Sequence, residues 1–115
     1  MGLDLDIQAG TEQFHAGNEG GGILGWCEQN ICPGNGIPDF KFEASKLADL
    51  LEKINKVLDE PWNVHTILPP SKNWYAKNYD FNGVHWQYTI YKNNLKKVIE
   101  ECSLNNINPT YYVWY

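Results

Sequence analysis

Arginine is absent from this 115-residue chain: all nine basic residues are lysine, against fourteen acids, and the formal net charge is −5. Arginine grips phosphates and base edges in a bidentate fork, and nucleic-acid domains carry an excess of positive charge. Its absence argues against direct nucleic-acid binding; acidic mimicry of a nucleic acid stays open, because like charge would then engage a basic partner. Long apolar runs are also lacking. No window approaches the roughly 20 apolar residues that a membrane-spanning helix needs, so no membrane association is expected. Cysteine is scarce, and the odd number present, Cys27, Cys32 and Cys102, cannot all pair within one chain. The start, Met1-Gly2-Leu3-Asp4-Leu5-Asp6, places acids where a secretory leader needs basic and then apolar residues. Reduced thiols in the cytoplasm are the expectation.

Glycine and aromatic residues are plentiful. The stretch Phe14 to Trp26 holds five of the ten glycines, with His15, Asn18 and Glu19 among them and an aromatic at each end. Glycine at that density lets a ligand or a second chain approach the backbone. Apolar residues make up 43% of the chain and charged residues 20%, the balance of a globular protein. Its length suits one domain, residues 1–115, with an ordinary core.

Hydrophobic periodicity divides the chain into elements. Leu3, Leu5 and Ile7 alternate with Asp4 and Asp6, which predicts a strand with one buried face. Residues 8–25 show no sustained period, although Ile23, Leu24, Cys27 and Ile31 allow a short helix after the glycines. Cys32 to Asp39 is dense in turn residues and reads as a surface loop. From Glu43 to Glu60, Leu47, Leu50, Leu51, Ile54, Val57 and Leu58 form the apolar stripe of an amphipathic helix, stopped by Pro61. Trp62 to Leu68 reads as a strand, and Pro69 to Tyr75 as a loop. A second long helix runs from about Val84 to Cys102, capped by Asp80 or Asn82 and ended by Asn105 or Asn106. Thr110 to Tyr115 is strand-forming, with Thr110, Tyr112 and Trp114 on one face. The fold class expected is α+β: a small mixed or antiparallel sheet with two main helices packed on one face, the first and last strands adjacent.

Gly2-Leu3-Asp4, the His15-Ala16-Gly17 loop leading to Trp26, and the aromatic terminus resemble a group of small phage and bacterial proteins. Those begin Met-Gly-Leu-Asp and carry a His-Ala-Gly or His-Val-Gly loop. Leu68-Pro69-Pro70, Tyr79-Asp80 and Tyr111 to Trp114 match further short motifs of the group. The arginine that follows the loop aromatic in those proteins is replaced here by Cys27-Glu28. The resemblance implies a phage or prophage accessory protein and brings no catalytic residue with it.

Four chemistries deserve weighing. A metal could use His15, Cys27 and Cys32 with Asp4 or Asp6, but zinc sites favour tighter ligand pairs such as Cys-x2-Cys. A small hydrolase or metal-dependent enzyme could use His15 with Asp4, Asp6 or Cys27. A phosphate cradle could use the glycine amides, although Glu19 opposes an anion and the spacing is not that of a P-loop. Five tryptophans and seven tyrosines exceed what one small core hides, and such residues favour interfaces. The favoured expectation is a non-catalytic protein that binds and inhibits or sequesters a host protein or a small polar, nucleotide-like ligand, with no cofactor and no metal. Its expected binding residues are Asp4, Asp6, His15, Asn18, Glu19, Trp26, Lys72, Trp74 and Tyr75. A homo-oligomer, with the aromatic terminus completing a sheet between chains, is the remaining class.

Overall fold

In the computed structural model, which describes residues 2–73 and 81–114, the alternating start becomes strand β1, Asp4–Ala9. Leu5 and Ile7 are fully buried, while Asp4 and Gln8 stay exposed. The chain reverses at Gly10-Thr11, where Gly10 takes φ 57°, a value closed to most side chains. It returns as β2, Glu12–Ala16, pairing Ile7 with Phe14 and Leu5 with Ala16. This strand lies in the stretch without a sequence period. Only Phe14 and Ala16 point inward, and alanine is too weakly apolar to register as alternation.

The sheet has four strands in the order β2-β1-β4-β3, all antiparallel. β4, Thr110–Trp114, is the expected terminal strand and lies beside β1. β3, Ile37–Lys41, begins inside the segment expected to be a loop. It is an irregular edge strand. Its register slips between Ile37 and Phe40, it contains Pro38, and Asp39 takes φ 44°. Pro and a bulge are both tolerated at an edge, where one row of amides needs no partner.

Helices cover the inner face. α1, Gly21–Asn30, follows the glycine run, and α2, Leu47–Asp59, buries Leu47, Leu50, Ile54 and Val57 from the stripe. The segment expected as a strand at Trp62 to Leu68 is instead a 3-10 turn, Pro61–Asn63, and one turn of helix, α3, Val64–Ile67. Its two buried apolar residues, Val64 and Leu68, are four apart, and the Leu68 N–H donates to the Val64 carbonyl at 2.9 Å. Four is a helical spacing. Trp62, 66% exposed, carried no core signal although its type favours strands.

α4, Phe81–Asn105, lies against β2 and β1, and α2 packs beside it. Its buried side of Val84, Tyr88, Tyr91, Leu95, Val98 and Cys102 repeats every three or four residues, as the period demands. Tyr91 meets Phe14 with ring centroids 5.4 Å apart, and Tyr88 with centroids 5.1 Å apart at 69°, an edge-to-face contact. The helix ends at Asn106, in left-handed φ 52°, with the Ile107 N–H returning to the Cys102 carbonyl at 3.1 Å. That is a Schellman closure with asparagine in the glycine position. No helix of the described residues is long and apolar enough to cross a membrane.

The glycines of α1 serve packing. A Cβ on Gly22 would sit 2.5 Å from the Leu68 carbonyl oxygen, and one on Gly25 would sit 2.5 Å from that of Pro69. The Leu68-to-Ser71 chain thus lies directly on the helix backbone, and the Ser71 N–H donates to the Gly21 carbonyl at 3.0 Å. Alanine favours an exposed helix by about 1 kcal/mol over glycine, but backbone atoms cannot swing aside as side chains do. Gly22→Ala and Gly25→Ala are each expected to destabilise the fold by about 1–3 kcal/mol, measured by urea denaturation. A gain in stability would show that this contact is not close-packed.

Candidate binding face

Antiparallel pairing brings together residues that share the outer face of the sheet. Asp6 lies between His15 of β2 and Tyr112 of β4, and Asp4 lies opposite Trp114. The His15 Nδ1 is 2.8 Å from Asp6 Oδ1, and the Gln13 side-chain amide donates to the same oxygen at 2.8 Å. An ionised carboxylate can only accept, so His15 donates through Nδ1. Its Nε2 lies 4.0 Å from Asp4 Oδ1, beyond hydrogen-bond range. Exposure separates the two acids: the Asp6 side chain is 16% exposed and that of Asp4 is 64%. Asp4, Asp6 and His15, three of the expected binding residues, therefore meet on one surface.

Trp114 and Tyr112 complete this face. Trp114 is 51% exposed and rests on Gly36, where a Cβ would come within 2.9 Å of the indole Cζ3. Gly36 is needed twice, for that approach and for its φ of 68°. Neither aromatic stood among the expected binding residues. Their signal was the alternation of Thr110, Tyr112 and Trp114, which points to an outer face once β4 is known to be central.

Other expected residues have different work. Asn18 accepts the Leu3 N–H at 2.7 Å, tying the loop to β1. The Glu19 carboxylate accepts from the Tyr91 hydroxyl at 2.7 Å and from the Gly17 N–H at 3.2 Å, while the Gly20 N–H closes a turn onto the Gly17 carbonyl. A Cβ on Gly20 would meet Ala16 Cβ at 2.7 Å. The glycine stretch is thus a fastening between β2, α1 and α4, with a carboxylate inside it, and offers no anion cradle.

Trp26 does not join the outer face. It is buried on α1 and donates from Nε1 to Asp49 of α2 at 2.8 Å, lining a depression of about 380 Å³ with Gln29, Lys53 and Thr66. Lys72 lines an adjoining depression of about 310 Å³ with Glu28, Pro33 and Asn73, and the two share Gly25, Gln29 and Pro69. There the buried Ser71 hydroxyl donates to Glu28, and the Asn73 side-chain amide donates to the other Glu28 oxygen at 2.7 Å. Sequence reading missed that cluster, because its partners lie more than forty residues apart. Trp74 and Tyr75 fall outside the described residues.

Cys27 is fully buried, and burial together with the neighbouring Glu28 charge pushes its thiol far up, against a hydrogen bond from Tyr111 that acts the other way. Such a thiol is inert at neutral pH. Burial also raises Cys102, with the Glu101 charge adding to it. All three cysteines are free, and no group of three His, Cys, Asp or Glu side chains among the described residues is placed to hold a metal ion. The His15–Cys27–Cys32 set considered from sequence does not assemble. Compared with family models, curated proteins and solved structures, the chain finds no match.

Burial works to raise the Glu19 carboxyl, but hydrogen bonds from its own backbone N–H, Tyr91 and Gly17, helped by nearby His15, outweigh it, and the net shift is downward. A depressed carboxyl stabilises the fold above its unfolded value and loses that contribution as pH falls through the folded value. Glu19→Gln is expected to destabilise by about 1 kcal/mol at neutral pH, less than is usual for a charged hydrogen bond because the residue is substantially exposed. The difference from wild type should shrink below the ordinary glutamate value of 4.5. Urea midpoints across that range test it; a gap independent of pH would mean the carboxylate charge contributes nothing.

Proposed function

We propose that this protein is a non-catalytic accessory protein that binds and inhibits or sequesters a host protein through the outer face of its sheet. The observation that carries this reading is the exposed Trp114 and the partly buried Tyr112 set beside Asp4 and Asp6 on the two central strands. Helices cover the other side of the sheet, so these side chains are not needed for the core. Tryptophan and tyrosine are the residues that most often dominate binding energy at protein interfaces. A flat strand face suits a protein surface better than a small molecule, which favours an enclosing cavity. The acidic balance of the chain favours a partner with basic surface. The resemblance to small phage and bacterial proteins supports a host-cell setting, with the host cytoplasm as the place of action.

The rival reading is a hydrolase built on the Asp6–His15 pair, whose 2.8 Å contact is that of a histidine and its orienting acid. Against it, the second ring nitrogen faces Asp4, and Cys27 is buried with its thiol raised. A homo-oligomer joined through the aromatic strand meets a geometric obstacle. β4 is already paired on both edges, by β1 and β3, so it has no edge left for a second chain.

Affinity capture from host lysate, followed by titration of each purified captured protein, separates these readings. Wild type is expected to retain a partner that the Tyr112→Ala/Trp114→Ala variant binds at least roughly tenfold more weakly, as for loss of a hot spot. Equal binding by a folded variant would overturn the outer face as the docking site. Turnover lost on His15→Ala, with stoichiometric metal, would replace the binding reading with the enzymatic one.

A further inference from the structure

We infer that the Asp4–Trp114 and Asp6–Tyr112 pairs form a receptor for arginine side chains on a basic segment of the protein partner. The inference rests on the docking reading above and specifies its chemistry. In both pairs a carboxylate stands directly across the β1–β4 ladder from an aromatic ring, on the same face. Directly opposed residues have Cβ atoms about 5 Å apart, and successive pairs on one face repeat about every 7 Å along the strands. The result is a block of two acids and two rings at the centre of the sheet.

A guanidinium suits this block better than other groups. It is planar, so it stacks on an indole or phenol face, and its edge N–H groups form hydrogen bonds to a carboxylate in the same plane. The rings and acids here stand side by side, which lets one cation use both. The Trp114 ring lies against Gly36 and is 51% exposed, so part of the indole stays open to a cation. Asp4 is the acid with capacity to spare: its side chain is 64% exposed, and His15 Nε2 stands 4.0 Å from its Oδ1. Asp6 is already engaged by His15 and Gln13, which keep its carboxylate aimed along the outer face.

Among the described residues of the sheet's outer face, the imidazole of His15 sits on the β2 side and Lys41 pairs across from Thr110 at the other end of β4. The chain has no arginine of its own to occupy the site. Acids beside rings are complementary to a basic segment and repel an acidic one.

The test is an NMR titration of the ¹⁵N-labelled full chain with acetyl-Gly-Arg-Gly-Arg-Gly-amide, its citrulline twin and its lysine twin. Citrulline keeps the shape of arginine and removes the charge. The arginine peptide is expected to give saturable shifts at the Trp114 indole N–H and at the amides of residues 4–8 and 110–114. The citrulline peptide should bind at least roughly fivefold more weakly, as should the arginine peptide to Asp4→Asn or Trp114→Leu. Asp4→Asn keeps the shape of an exposed side chain, so an intact spectrum shows that it is folded. Equal affinity for the citrulline peptide would overturn cation recognition while leaving the face as a docking surface. Equal affinity for the lysine peptide would overturn the preference for a planar cation. Shifts scattered away from β1 and β4, or none, would overturn the receptor itself, whereas the capture experiment decides the docking reading on its own.

Discussion

The ladder between β1 and β4 is the constraint on which the rest depends. It joins a strand near the start of the chain to one near its end, with Asp6 opposite Tyr112 and Ile7 opposite Tyr111. Because side chains alternate every residue, this register sends Leu5, Ile7, Tyr111 and Val113 into the core and leaves Asp4, Asp6, Tyr112 and Trp114 outside. Sliding β1 by one residue against β4 would bury Asp4 and Asp6 and expose Leu5 and Ile7, a change beyond the stability of a small domain. The register that builds the core therefore also builds the outer face. Core and candidate site are two sides of one pairing.

Around that ladder, the glycine-rich stretch has a mechanical role. Gly20 lets Ala16 and the Tyr91 hydroxyl close in, and Gly22 and Gly25 let the Leu68-to-Ser71 chain lie on α1. Glu19 pins the same loop to α4 through Tyr91, whose ring also packs on Phe14 and Tyr88. A dense glycine run suggests ligand access when read alone. Here the close neighbour is the protein's own backbone.

Legibility followed the range of the physics involved. The α2 stripe, the α4 stripe with its ending at Asn105 or Asn106, and both strands of the central ladder were readable, because each writes a period or a terminator locally. β2 and β3 were not, since a short strand with two inward residues, or with Pro38 and a bulge, barely alternates. Trp62 to Leu68 misled in the opposite sense: its residue types favour a strand, but Val64 and Leu68 need one buried side, and only a helical turn aligns residues four apart. Among the candidate binding residues, Asp4, Asp6 and His15 do share a surface, whereas Trp26 is core and Asn18 and Glu19 fasten a loop. Distinguishing these required knowing which polar atoms meet across the fold.

The sequence by itself determined the α+β class, the two main helices, the alternation of β1 and β4, and a charge balance with no arginine. Each follows from side-chain type and spacing within a few residues. Only the tertiary structure decided that β4 lies inside the sheet, that the glycines face the chain's own backbone, and that Trp114 and Tyr112 stand beside Asp4 and Asp6. Those facts depend on contacts between residues more than a hundred positions apart, such as Asp4 and Trp114, and such contacts are set by the packing of the whole core.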